Sequence, residues 1–268
     1  TTERPCYLKG TYNPATGGVS FGTIQDITGT FEQPDYLSNM LGISALMIGD
    51  TLHLIWTDWN NYNGHGFPGP GGHVHHAAVE PDGTVQGPHK ISDINIDGRL
   101  PIRSNCSLWG CFGFASEPWP YVSLSYNPTT GVLYGLWSQP PDDGNFGWAD
   151  PTVFDVLANY DIFSSASPNN GRVWDDPQNV TQTNNPGCSG SVGNPCHHED
   201  FFVSAEKADS VINVVATVQR FPGFQEFNIR SGISPDFGPL TELIDVFRLY
   251  RVPARVPVAS LRADLGLP

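Results

Sequence analysis

Two clusters concentrate the side chains that could bind a metal or move a proton: His73-Val74-His75-His76 and His197-His198-Glu199-Asp200. On a strand, His73 and His75 share one face, and two imidazoles two residues apart can chelate a metal ion. The same run follows a Gly-rich stretch and reads equally as a solvated strand start, with no carboxylate of fixed partnership beside it. His198, Glu199 and Asp200 could bind a divalent ion or form a polar network at the mouth of a larger structure. A divalent metal is therefore the one cofactor the spacing allows; the other reading is no cofactor. Neighbouring carboxylates also occur at Asp142 and Asp143, Asp175 and Asp176, and Glu199 and Asp200. Residues adjacent in the chain do not straddle a glycosidic bond at the ~5–9 Å that hydrolysis requires, so a hydrolase would have to draw its pair from different strands. There is no Gly-rich phosphate loop and no Ser-His-Asp order, and spacing alone assigns no catalytic residue. Trp56, Trp59, Tyr62, Trp109, Trp119, Trp137 and Trp148 fall near loops or strand ends. Of these, Trp59 and Trp148 are candidates for stacking on a sugar, the alternative being apolar wedges between sheets.

The elements that must position these groups read as strands. Asp161 to Ser167 alternates apolar and polar residues, and a Pro168-Asn169-Asn170-Gly171 turn follows, with Asn-Gly a strong hairpin signal. Trp174 is expected to open the returning strand. Leu41–Ile48 and Thr51–Trp59 flank Gly49-Asp50; Val74–Val79 and Thr84–Ile91 flank Glu80-Pro81-Asp82-Gly83; Phe201–Glu206 and Val211–Gln219 flank Ala208-Asp209-Ser210. A further hairpin is expected from Phe227 to Arg248. The run Tyr12-Asn13-Pro14-Ala15-Thr16-Gly17 recurs as Tyr126-Asn127-Pro128-Thr129-Thr130-Gly131, an internal repeat. Pairing inner with outer hairpins gives four-stranded antiparallel units, three after Leu41 plus an N-terminal hairpin at 7–27. The expected fold is one all-β domain over 1–268, a β-propeller of about four such blades arranged radially. The stretch 251–268, with Pro253 and Pro257 in its alternating part 252–261, reads as an edge strand, either closing the ring against the N-terminal hairpin or exchanged with a neighbouring copy.

Composition agrees with an all-β domain. Of 268 residues only 15% are charged, with 29 Gly and 24 Pro, a turn-dense chain with little helical character. The net charge of −14 argues against nucleic acid or an anionic membrane as partner, and no run of about 20 apolar residues provides a membrane span. Five cysteines are present. Cys106 and Cys111 bracket one short loop, and Cys188 and Cys196 bracket another, as local disulfides would, leaving Cys6 as the odd one. With the sequons at Asn105 and Asn179 as glycosylation candidates, and a start at Thr1 that looks processed, the expected location is extracellular.

The spacing Ser167, Asn169, Gly171, Trp174 resembles the Asp-box of sialidase-like β-propellers, with Asn169 in the Asp position. Ser234, Asp236 and Gly238 keep the same spacing with Thr241 in place of Trp. The resemblance covers roughly residues 41–250 and implies a propeller of secreted bacterial type, in which such repeats often serve as non-catalytic modules. Sialidases of this fold also need an arginine triad, a Tyr nucleophile and a Glu partner, which cannot be placed here. The leading expectation is therefore an extracellular structural or adhesion module that binds other copies of itself, polymerising head to tail by strand addition, or binds cell-surface glycans or proteins. The alternatives are a sialidase-like glycan hydrolase and a glycan-binding lectin.

Overall fold

A computed structural model describes residues 5–27, 40–59, 72–94, 122–139, 161–182, 199–205, 208–219 and 246–255. Among them every regular element is a β-strand. The first four, β1 (Cys6–Tyr7), β2 (Gly10–Asn13), β3 (Gly18–Phe21) and β4 (Gln25–Asp26), form two two-stranded pairs, β1 with β4 and β2 with β3. The first full sheet has β5 (Met40–Ile48), β6 (Thr51–Trp59), β7 (Gly72–Val79) and β8 (Val85–Ile94) in sequential antiparallel order. The second repeats that plan with β9 (Val122–Asn127), β10 (Val132–Gln139), β11 (Asp161–Ser167) and β12 (Gln178–Asn179). The third contains β13 (Glu199–Ala205), β14 (Val211–Gln219) and β15 (Val246–Pro253). The hairpins expected around Gly49-Asp50, Glu80–Gly83, Asn127–Gly131 and Ala208–Ser210 all form.

The sheets pack face to face in chain order. Ile55, Val74 and Ile91 of the first meet Leu124, Leu133, Trp137 and Phe163 of the second. The other face of the second, Val132, Tyr134, Leu136, Ile162 and Ala166, meets Ile212, Val214 and Val252 of the third. Alternation along β10 explains this: Leu133 and Trp137 serve one seam, Tyr134 and Leu136 the other, so the strand is buried on both sides. Gly135 leaves room for Ile55, whose Cδ1 lies 2.9 Å from where a Cβ would stand. Trp56 and Trp137 are fully buried, wedges between layers and not exposed aromatics near strand ends. The N-terminal pairs clip onto the far face of the first sheet, where Ile27 and Tyr7 pack on Leu54, Trp56, Ala77 and Val79.

Two expectations about element boundaries need correction. After the turn at 168–171 the chain does not return as a strand at Trp174; pairing resumes only at Gln178–Asn179. Trp174 instead lies against the seam between the first two sheets, packed on the cluster around Ile55. The stretch beginning at Arg251 is not separate from the third sheet either: Arg251, Val252 and Pro253 continue β15 and pair with Asn213, Ile212 and Val211 of β14. Residues 256–268 and most of the hairpin at 227–248 lie outside the described residues. So do Cys106, Cys111, Cys188 and Cys196, the four cysteines of the expected disulfides. Of the five cysteines only Cys6 is described, exposed at the start of β1.

Candidate functional site

The strand registers give the molecule two unlike ends. At one, the sheets turn tightly, through Gly49-Asp50, Glu80–Thr84, Pro128–Gly131, the 168–171 turn and the 208–210 segment. These turns share an end because cross-sheet bonds join them: Arg172 Nε donates to Gln86 Oε1 at 2.8 Å, and Asn127 Nδ2 donates to the Asp209 carbonyl at 2.6 Å. At the other end the chain leaves and re-enters the sheets through the longer connections 60–71, 95–121, 140–160, 183–198 and 220–245. Long connections on one face of a rigid scaffold are where binding and catalytic groups concentrate.

Acidic residues mark that second end. Asp58 pairs with His73 across β6 and β7, and His73 with Asp93 across β7 and β8. Asp161 opens β11 opposite Gln139, and Glu199 and Asp200 open β13 opposite Gln219 and Val218. Acidic residues from all three sheets thus stand at one rim, the placement that adjacent residues in the chain could not supply. Asp161 is fully buried, and Asn179 Nδ2 donates to its Oδ2 at 2.6 Å while Thr181 Oγ1 lies 3.4 Å from its Oδ1. Thr181 Oγ1 also accepts from the Ile162 amide at 2.9 Å, so two residues of the Asn179 sequon tie β12 to β11.

The other anticipated residues are dispersed. His75 faces away from the second sheet and stacks on Trp56, ring centroids 5.5 Å apart. Among the described residues no group of three or more His, Cys, Asp or Glu side chains could hold a metal ion. Trp59 ends β6 at the acidic rim, while Trp148, Asn105 and His198 lie outside the described residues. Ser167, Asn169, Gly171 and Trp174 build one turn. Ser167 Oγ donates to Asn169 Oδ1 at 3.0 Å and accepts from the Gly171 amide at 2.9 Å; Asn169 Oδ1 also accepts from the Val173 amide, and Trp174 Nε1 donates to the Gly171 carbonyl. Asn170 and Gly171 have φ of 57° and 81°, left-handed conformations that Asn and Gly tolerate best.

Three features escaped sequence reasoning. His53 and His76 are buried and stacked between the first two sheets; their alternation with Ile55 and Val74 along β6 and β7 was the available signal. Arg255 makes a two-pronged ion pair with Asp175, Nε to Oδ2 at 3.0 Å and Nη2 to Oδ1 at 2.9 Å, and its Nη2 also donates to the Ser164 carbonyl. Asp175 in turn accepts from the Ala166 amide. Tyr134 completes this latch by donating to the Arg255 carbonyl at 2.8 Å, and burial pushes its phenol above the usual range. No local pattern could reveal these contacts, since the Asp175–Arg255 partners are 80 residues apart.

No family model and no curated protein matches the chain. Solved structures with a similar outline include the catalytic domain of a GH62 α-L-arabinofuranosidase from Coprinopsis cinerea, at 8% identity over 93% of this chain and 67% of that one, TM-score 0.41. A Hadza microbial sialidase is 13% identical over 69% of this chain and 33% of its own, TM-score 0.40. The NanB sialidase of Streptococcus pneumoniae is 9% identical over 85% of this chain and 46% of its own, TM-score 0.42. The chain spans between a third and two thirds of the length of these proteins.

Proposed function

We propose that the chain is a glycan-active hydrolase of propeller type, with its site at the rim where β13 begins. The observation that supports this reading is that acidic residues of separate sheets stand at strand ends on the long-connection side: Asp58 and Asp93 in the first, Glu199 and Asp200 in the third. Cleavage of a glycosidic bond needs one carboxylic acid to protonate the leaving oxygen and one carboxylate on the far side of the sugar, as nucleophile or as base for water. Such a pair has to come from different strands, as acids at this rim do, and Trp59, which ends β6 there, is of the type that stacks on sugar rings.

The test is turnover of a panel of aryl glycosides and sialosides by the intact chain, compared with Glu199→Gln, Asp200→Asn and Asp58→Asn. Loss of an acid or base contributes about 10²–10⁴-fold, so at least one variant should lose activity on that scale while keeping its melting profile. No turnover by the wild type on any substrate would overturn the reading.

A second reading, a glycan-binding lectin, rests on Trp59 at the rim. It predicts glycan binding without turnover, reduced in Trp59→Ala. Head-to-tail assembly by strand addition is less well supported, because Arg251–Arg255 are engaged by their own chain through β14 and Asp175. It would have to rely on residues 256–268. An extracellular setting belongs to the same proposal, with Cys106 bonded to Cys111 and Cys188 bonded to Cys196. Mass measurement of peptides from unreduced protein would check both bridges, and free thiols at these four positions would count against that setting.

A further inference from the structure

His53 and His76 are buried imidazoles that the proposed chemistry does not use. They project from β6 and β7 into the seam with the second sheet, with Nδ1 of His53 3.1 Å from Nε2 of His76 and ring centroids 5.3 Å apart. One proton can bridge that gap, with one ring donating and the other accepting. If both rings are charged, the facing nitrogens are both donors and the bond becomes a repulsion. The remaining nitrogen of His76, Nδ1, is buried and meets no hydrogen-bond partner. The space beside it is filled by Gly171, where even a Cβ would overlap the His76 ring, and by Trp174, whose ring meets it edge-on at 5.2 Å. A second proton on His76 would therefore be taken up in a buried place, helped only weakly by the Gly171 backbone.

Of the charged groups around the pair, Glu80 favours an added proton on His53, less strongly than burial opposes it, and the cationic groups oppose it. Glu80, after β7, acts on His53, but its carboxylate already accepts from Thr51 Oγ1 at 2.9 Å and Gln86 Nε2 at 2.6 Å. From β8, His89 pairs with His76 across the strands and adds like charge when protonated. From the second sheet, Arg172 holds Gln86 and acts on His89 with the same sign. His75 belongs to the opposite face and does not enter the seam.

We propose that the seam between the first and second sheets is an acid-operated joint, held shut by the neutral His53–His76 pair and loosened when the pair takes up a second proton. The direction of titration agrees. Burial, with the like charges of His53 and His89 behind it, holds the His76 imidazole down to about 3, against a weaker opposite pull from the Gly171 backbone. Burial also lowers His53, against Glu80. Both groups take up protons near 6.5 once exposed and lower when closed, so the open state binds more protons across that window. The closed seam is fully stable above about pH 6.5 and loses stability as pH falls from there toward about 3. Opening frees the 167–174 turn, because Gly171 and Trp174 are what the His76 ring rests on.

The test is amide hydrogen exchange of residues 165–174 and 74–79 in the full chain between pH 7.5 and pH 4.5, corrected for chemical exchange, in wild type, His76→Gln and His53→Gln. A neutral amide replaces the titrating ring in each variant. In the wild type, protection of both segments should fall about tenfold for each pH unit over which one net proton is taken up. In either variant that pH slope should shrink at least threefold. If His76→Gln does not fold, His53→Gln alone must still flatten the slope. Equal slopes in wild type and His53→Gln would overturn the proposal. So would imidazole resonances showing His53 and His76 both protonated at pH 5 with protection unchanged.

Discussion

Gly171 and Gly131 separate two costs that are often merged at the scale of one residue. Both have positive φ, 81° and 72°, but an added Cβ overlaps the His76 ring at Gly171 and meets nothing within 4 Å at Gly131. Gly131→Ala should cost only the left-handed backbone term, about 1–2 kcal/mol. Gly171→Ala adds overpacking at the seam and should cost about 2–5 kcal/mol in urea unfolding. The Arg255–Asp175 pair gives a second prediction at this scale. With side chains 18% and 14% exposed it is shielded from water, and its bonds are charge-assisted. Arg255→Leu should destabilise by about 1–3 kcal/mol, and Asp175→Asn should add little once Arg255 is gone; a double-mutant cycle checks both. Of these contacts the sequence disclosed the turn, whose bonds run between residues four or fewer apart. It did not disclose the latch, because its members meet only after two sheets have packed.

The repeated turn shows how far a local pattern reaches at the scale of elements. Asn13 and Asn127 both open a turn by accepting from a backbone amide two residues on, Ala15 and Thr129. Only Asn127 is buried, and only its Nδ2 reaches the Asp209 carbonyl of the third sheet's turn. Asn127→Ala should therefore cost about 1–3 kcal/mol and Asn13→Ala about 0.5 kcal/mol, measured by the same unfolding transition. The hairpins themselves carry similar sequences into different surroundings. In the second sheet, Leu124, Leu133 and the half-buried Tyr126 pack against the first. In the N-terminal hairpin, Tyr12, Val19 and Phe21 are 63%, 51% and 66% exposed. Strand identity and turn chemistry were legible in both copies, because alternation and Asn-Pro-x-Thr-Gly are local. Which copy would be buried was not, because that depends on the sheet beside it. The same limit explains the tryptophans: Trp56 and Trp137 stand near strand ends in sequence yet are buried by the neighbouring layer.

At the scale of the molecule, the three larger sheets among the described residues, whose strands turn tightly at one end and continue into longer connections at the other, set what truncation can test. Removing residues 251–268 takes Val252 from the core between the second and third sheets, along with the pairing of Arg251, Val252 and Pro253 in β15 and the Arg255 latch. Such a chain should lose about 3–5 kcal/mol or fail to fold, so its assembly state would say little about strand exchange; scanning calorimetry before any microscopy would show this. The all-β class and the sequence of hairpins were readable because, from β5 onward, each sheet pairs strands that are neighbours in the chain. The acidic rim was not, because Asp58 and Glu199 share an end only through register and packing.

The latch also bears on how the chain is made. Each sheet is complete once its own strands exist, so the first two can form in order while the rest is still being synthesised. Their second seam, lined by Val132, Tyr134, Leu136 and Ile162, finds its cover only with Ile212, Val214 and Val252, and is locked only when Arg255 arrives. For that interval a nascent chain presents a row of large apolar side chains to its surroundings. Expression yield should therefore respond to chaperone supply and growth temperature more sharply than equilibrium stability does, and Arg255→Leu should widen the difference.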